Sequence, residues 1–424
     1  MEHTHLLTGL IIFILAYMAI VSEKINRTTV AVFGASLMIL FDVLSQEEAL
    51  EHIDYNTIGL LIGMMIIVNI LKRTGIFQYL AIKTAKISNG NPHMILILFS
   101  IITAIASGLL DNVTTILLIV PVTLVIADTL EIDPFPFIIA EILSANIGGA
   151  ATLIGDPPNI MIGSFTHFSF LDFVVNLGPI ILVIFIITLS IISLLFKNSL
   201  IVSDQSRSNI LSLDEKLAIT DRKLLIKSAI ILVVTIGGFT LAEFLHLESA
   251  SVAIFGASTL LLISRIEPEE VLIDVEWGTI FFFGGLFILV GALVNIGVIS
   301  FMADKLLQVT NGDIKITTHV VLWMSAILSS FLDNIPYVAT MIPLVDQMEG
   351  LSAIDYNSVW WALALGACLG GNGTIIGASA NVVARGILEK NGQKFSFLKF
   401  MKIAFPLMII SVILSAVYLS VFYL

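Results

Sequence analysis

Long apolar segments dominate the chain, separated by short polar joints. Runs at 6–22, 28–44, 57–71, 169–196, 224–242, 250–264, 278–299 and 400–424 approach or exceed the roughly 20 residues that cross about 30 Å of hydrocarbon. Each predicts a membrane helix. Two further regions, 92–163 and 317–385, are equally apolar but broken by polar and Gly/Pro-rich clusters. Interrupted backbone at membrane depth is tolerated only where protein or a cavity satisfies it. These two regions therefore predict structure built around an interior site. The first run has no basic residue ahead of it, and Lys24 and Arg27 follow it, so it reads as a retained helix rather than a secretory signal. Residues 76–90 set Lys83 and Lys86 among Phe77, Leu80, Ile82 and Ile87, the pattern of an interfacial amphipathic helix. The longest polar stretch, 197–223, reads as a cytoplasmic linker, and no soluble domain is expected.

Composition narrows the class. Hydrophobic residues make up 58% and charged residues 12%, against about 25% charged in soluble domains. Both an ordinary globular fold and disorder are excluded. The net charge of −12 argues against a nucleic-acid partner. Cys368 is the single cysteine, which excludes a disulfide framework and a cysteine-based zinc site. The histidines (His3, His5, His52, His93, His167, His246, His319) fall near expected span ends, so no metal centre is expected from them. No phosphate-binding loop of the form G-x-x-x-x-G-K-[ST] occurs. The Tyr-Asp and Gly-x-Gly-Asp contexts of intramembrane aspartyl proteases are also missing, so neither ATP hydrolysis nor any other enzyme activity is expected.

A shift of 222 residues superimposes the two halves without a gap. Val30-Ala31-Val32-Phe33-Gly34-Ala35-Ser36 meets Val252-Ala253-Ile254-Phe255-Gly256-Ala257-Ser258, and Gly63 and Gly75 meet Gly285 and Gly297. Asp111-Asn112 falls on Asp333-Asn334, and Gly148-Gly149, Thr152, Gly155 and Asn159 fall on Gly370-Gly371, Thr374, Gly377 and Asn381. Chance similarity between apolar segments does not produce Asp, Asn, Pro and Gly matches at one constant spacing. The expected domains are an N-terminal repeat (1–196), the linker, and a C-terminal repeat (224–424). Each is read as five transmembrane helices plus a re-entrant helical hairpin (92–127 and 317–349). An odd number of crossings inverts the second copy. With both termini outside, 18 of the 20 basic residues lie inside, leaving only Lys305 and Lys315 outside. The 23–27 loop is basic, whereas its counterpart at 243–249 (Glu243, His246, Glu248) has no Lys or Arg. The fold class expected is thus an all-α polytopic membrane protein of two inverted repeats. Glu47, Glu48, Glu51 and Asp54 read as a solvated outer loop, and Gly59-x-x-x-Gly63 as a helix-packing face.

Four polar clusters carry the candidate chemistry. Asp111-Asn112-Val113-Thr114-Thr115 and Asp333-Asn334-Ile335-Pro336 each sit midway in an apolar stretch too short for two full crossings with a loop. A hairpin reaching halfway across, with Asp-Asn at its tip, fits that length, and Asp is a favoured N-cap for the returning helix. The other two are helices broken at Gly pairs, 135–163 and 357–385. The first places Asn146, Thr152, Asp156 and Asn159 around its break, the second Asn372, Thr374, Ser379 and Asn381. These side chains and the unwound carbonyls are candidate substrate and ion ligands, and hairpin tips and breaks related by inversion should converge near the midplane. Capping of buried helix ends is the alternative role. A charge costs roughly 2.5–3.5 kcal/mol at membrane depth, which a mere cap would not require. Asp111 and Asp333 are therefore expected to share a pocket, with Na⁺ or H⁺ as the neutralising ion on Asp111, Asn112, Asp333 and Asn334. Neither cluster contains Lys or Arg; Arg385 is the nearest in sequence and is expected at the inner boundary. Cys368 is read as a packing residue beside the second break.

These clusters resemble the melanosomal P-protein branch of ArsB/NhaD-type permeases, in the ion transporter superfamily that also holds the divalent anion:sodium symporters. The resemblance covers nearly the whole chain. It implies an ion-coupled secondary transporter in the plasma membrane, a homodimer, and a transport domain moving as an elevator against a scaffold. It implies no cofactor beyond a coupling ion, Na⁺ or H⁺, and as partners only the lipid bilayer and a small ion or small-molecule substrate. Exchange of Na⁺ and H⁺ is the activity expected. Arsenite/antimonite efflux and Na⁺-coupled citrate or dicarboxylate transport are the alternatives. In the symporters a Ser-Asn-Thr tip binds Na⁺ and carboxylate; Asp111-Asn112-Val113 and Asp333-Asn334-Ile335 stand at the matching positions.

Overall fold

A computed structural model describes residues 2–22, 24–242, 244–351 and 355–424, with side chains from residue 5 onward. Glu243 and the side chain of His3 lie outside the described residues. Ten helices precede the linker: α1 (Glu2–Ser22), α2 (Arg27–Leu40), α3 (Gln46–Glu51), α4 (Tyr55–Lys72), α5 (Ile76–Ile87), α6 (Pro92–Leu109), α7 (Asn112–Leu130), α8 (Phe135–Gly149), α9 (Pro157–Thr166) and α10 (Phe170–Leu195). The linker holds α11 (Asp204–Ser212) and a 3₁₀ turn at Glu215–Ala218. Ten more follow: α12 (Arg222–Ala242), α13 (Ser249–Ser264), α14 (Pro268–Leu272), α15 (Trp277–Asn295), α16 (Val298–Thr310), α17 (Ile314–Phe331), α18 (Asn334–Gly350), α19 (Asn357–Gly370), α20 (Ser379–Lys390) and α21 (Phe397–Phe422). The two sets correspond one to one in order. Among the described residues nine helices are long and apolar enough to cross a membrane.

Local chemistry repeats with the helices. Asn91 caps α6 by accepting from the backbone N–H groups of His93 and Met94, and Asp313 caps α17 by accepting from Lys315 and Ile316. Packing is reciprocal as well. On α4, a Cβ at Gly63 would lie 2.6 Å from the Ala253 carbonyl carbon of α13; on α15, one at Gly285 would lie 2.6 Å from that of Ala31 on α2. Glycine lets both helix pairs approach backbone to backbone. The Gly59-x-x-x-Gly63 face thus packs on α13.

The ends of these helices also meet crosswise. His52, just ahead of α4, hydrogen-bonds Asn295 at the end of α15 at 3.1 Å. Their counterparts, Asp274 ahead of α15 and Arg73 after α4, pair at 2.9 Å. Each helix starts where its equivalent ends, so α4 and α15 run antiparallel, as an inverted pair requires.

The hairpin arms α6, α7 and α17 have 18, 19 and 18 residues, and a two-residue turn joins the arms of each hairpin. One expectation needs revision. The acidic loop 47–54 is not merely solvated: Ser45 and Glu48 form a capping box on α3, and Asp54 caps α4 while accepting from Ser164 Oγ at 2.8 Å. The linker packs on the first repeat. Ser206 and Ile210 of α11 are buried, and α11 packs on α5 and α7.

Candidate functional site

The two broken helices part at their glycine pairs. A Cβ at Gly370 would lie 2.6 Å from the Ala326 carbonyl oxygen of α17, and one at Gly155 would lie 2.6 Å from the Gly149 carbonyl oxygen. With the helix interrupted, side chains must satisfy its carbonyls. Asn159 Nδ2 donates to the carbonyls of Thr152 (2.9 Å) and Ala150 (3.3 Å); Asn381 Nδ2 donates to those of Thr374 (2.9 Å) and Gly371 (2.8 Å). Thr152 Oγ1 donates to Gly108 O at 2.6 Å, and Thr374 Oγ1 to Ser330 O at 2.5 Å, tying each break to its hairpin tip. Ser107 and Ser329 repeat the stitch one turn away, donating to the carbonyls of Ala145 and Ala367 at 2.7 Å each.

Between the stitched breaks lies an amide-rich centre. Asn146 Nδ2 donates to the Oδ1 atoms of Asn372 and Asn381, both at 2.9 Å, and Asn146 Oδ1 accepts from Asn112 Nδ2 at 3.2 Å. On the opposite side Cys368 Sγ donates to Asn159 Oδ1 at 3.4 Å. Cys368 is the repeat counterpart of Asn146, so the second bond mirrors the first. Asn334 Nδ2 donates to Asp156, 3.2 Å from Oδ1 and 3.4 Å from Oδ2. Asp156 is 1% exposed, and within the described residues no basic side chain pairs with it. Asn112 Oδ1 and Thr115 Oγ1, also buried, keep free valences.

The two tip aspartates differ. Asp111 Oδ1 accepts from the Thr114 N–H at 2.7 Å, as an N-cap. Asp333 Oδ1 caps Ile335 N–H at 3.0 Å, while its Oδ2 accepts from Arg27 Nη1 and Ser379 Oγ, each at 2.7 Å. Arg27 also donates to Ser379 Oγ at 2.6 Å, and its guanidinium lies 4.9 Å from the Phe282 ring centroid. The basic residue nearest the site is therefore Arg27, not Arg385, which pairs with Glu389 on its own helix at 2.7 Å. Sequence distance hid this, because Arg27 looks like an ordinary boundary residue and its counterpart is Ser249. No contact joins Asp111 to Asp333; both instead lie within electrostatic reach of Asp156. A second polar residue was missed. Glu141 of α8 is fully buried beside Thr123, and a lone acid in an apolar run was the available signal.

Two cavities of about 420 Å³ each lie in the bundle, and the first reaches the second hairpin tip. One is lined by Arg27, Glu276, Asp333, Ser379 and Val383, the other by His52, Asp54, Met161 and Ala339. Glu276 and Val383 correspond to Asp54 and Met161, but Glu248 and Ser249, the counterparts of Asn26 and Arg27, line a different cavity, so the match between the two is partial. Only the first contains a tip aspartate.

Broken helices meeting hairpin tips inside a bundle of membrane-spanning helices give a multi-pass membrane protein with a buried polar site, the architecture of transporters. The chain belongs to the citrate transporter family (CitMHS) of the ion transporter superfamily, which matches residues 17–366. An uncharacterized transporter of Mycobacterium tuberculosis is 44% identical over 416 residues, 96% of each chain. The P protein of Sus scrofa is 35% identical over 489 residues, which takes in 96% of this chain and 58% of that protein. Among solved structures, the Alcanivorax borkumensis YdaH transporter has the same fold, with a TM-score of 0.61, 12% identity, and coverage of 91% of this chain and 88% of that one.

Proposed function

We propose that the chain is a secondary active transporter exchanging Na⁺ and H⁺, with Asp156 as the group that binds the coupling ion. One observation carries this reading: a carboxylate buried at the protein centre, contacted by a neutral amide and the Cys368 thiol and by no cation of the described chain. An ionised carboxylate in that position needs a counter-charge or a proton. Asp111, Asn112 and Thr115 bring a second acid and two free oxygen valences to the same region, so a small cation finds oxygen ligands there. Antiparallel equivalent helices support alternating access. Elevator motion, a homodimer, a plasma-membrane location and outside termini belong to the same proposal. Proteoliposome flux under imposed Na⁺ and pH gradients tests it: Asp156→Asn should lose coupled flux and Asp111→Asn should reduce it, and wild-type coupling in Asp156→Asn would overturn it.

A second reading rests on Arg27. Its guanidinium and the Ser379 hydroxyl border a 420 Å³ cavity, room for a small carboxylate that would compete with Asp333 for Arg27. Screening the same liposomes against citrate, succinate and arsenite separates the readings. A Na⁺ current driven by a dicarboxylate would favour the second.

A further inference from the structure

On α8, away from the centre, Glu141 is 0% exposed and has one hydrogen bond, from Thr123 Oγ1 to Oε1 at 2.5 Å. Its Oε2 has no partner. We infer that Glu141 is a second proton-binding site of the transporter, carrying a proton that exchanges with the centre along the seam between α7 and α8. This rests on the proton-coupled reading above.

Three observations carry the inference. First, nothing in the described chain neutralises an ionised Glu141. The helices packed on α8 are α6, α7, α10, α19, α20 and α21. Their titratable groups are engaged elsewhere or exposed: His93 bonds Ser193, Asp172 closes its own capping box, and Cys368 bonds Asn159. Arg385 pairs with Glu389, Lys399 with Asp133, and Tyr418 donates to Asn176 O; Asp128, Lys390 and Lys402 are exposed. A carboxyl so placed takes up a proton, H⁺ adding to Oε2 to give the neutral acid.

Second, the fold does not need an acid there. The equivalent seam between α18 and α19 places Val345 and Leu363, both buried, at the positions of Thr123 and Glu141. An apolar pair fills the same geometry.

Third, the seam leads to the site. α7 runs away from the tip and α8 runs toward it, with Asn112 bonded to Asn146 at one end and Thr123 to Glu141 further along. Glu141 and Asn146 are about 7.5 Å apart in helical rise. Thr115, between the two bonds on α7, has an unpartnered buried hydroxyl, and the amide oxygen Oδ1 of Asn112 is likewise unpartnered.

The test uses the full chain in lipid. Infrared difference spectra across a pH jump should show a protonated-carboxyl band that Glu141→Gln removes and Asp156→Asn keeps. In proteoliposomes, Glu141→Gln should slow dye-reported proton movement about tenfold or more, the cost of losing a proton-transfer group. It should leave ²²Na⁺ exchange without a pH gradient unchanged. A band that survives Glu141→Gln, or proton movement as in wild type, overturns the inference. So does equal loss of proton movement and Na⁺ exchange in a folded variant, which marks Glu141 as structural. If Asp156→Asn alone behaves as wild type, the central reading fails while the Glu141 assignment stands on its own band.

Discussion

Arg27 Nη1 lies 2.7 Å from Asp333 Oδ2, joining the start of α2 to the tip of the second hairpin across 306 residues of sequence. The pair is partly solvated, with the arginine side chain 31% and the aspartate 14% exposed. A double-mutant cycle of Arg27→Ala and Asp333→Asn should give a coupling of about 1 kcal/mol in thermal unfolding, the upper end for an exposed pair. Arg27→Ala alone should be worse than the double variant, since it strands the aspartate. Strictly additive effects would show that the pair does not couple the two halves.

The crossing of α4 with α13, and of α2 with α15, leaves no room for a side-chain carbon. Gly63→Ala and Gly285→Ala should each destabilise by about 1–3 kcal/mol through overpacking. Gly284→Ala, whose added carbon would meet nothing within 4 Å, serves as the control. Melting temperatures in detergent decide the matter, and a Gly63→Ala variant as stable as the control would refute the backbone approach.

Asn146 joins three other amides through its own. Asn146→Ala should cost about 1–3 kcal/mol for the bonds left unmade and reduce flux. Asn146→Asp should be more damaging, because it replaces a donor facing two Oδ1 acceptors with a third acceptor. Flux through Asn146→Asp above that of Asn146→Ala would contradict this hydrogen-bond assignment.

The linker grips α5, just ahead of the first hairpin, through Lys86, whose Nζ lies 2.6 Å from Glu215 Oε2. That bond holds the Glu215 carboxyl below the usual glutamate range. A depressed folded value stabilises the contact above the unfolded pKa, and this is lost as pH falls through the folded one. Proteolytic protection of 206–219 should therefore hold at neutral pH and fail as pH falls below the usual glutamate range. Glu215→Gln should weaken it already at pH 7; unchanged cleavage in that variant would sink the prediction.

Gly75 and Gly297 are equivalent and left-handed, at φ +78° and +77°, so alanine strains both. At Gly75 the added carbon would also collide with the Ala218 carbonyl oxygen, whereas at Gly297 it meets nothing. Gly75→Ala should therefore lower the melting temperature more than Gly297→Ala. Equal shifts would mean that the linker yields.

Sequence alone was enough to locate the helices, the paired hairpin turns, the helix breaks and the 222-residue correspondence. Each depends on chemistry local to the chain: apolar runs that must leave water, glycine pairs that end helices, Asp and Asn that cap them. Which polar groups meet was decided only by tertiary packing. Arg27 reaches Asp333, Asn334 reaches Asp156, and Thr123 faces Glu141 because particular helices lie against one another. Hydropathy reports whether a residue can be buried, but a buried charge depends on its neighbours in space, and those come from other helices: from the other repeat for Asp333 and Asp156, from the neighbouring hairpin helix for Glu141.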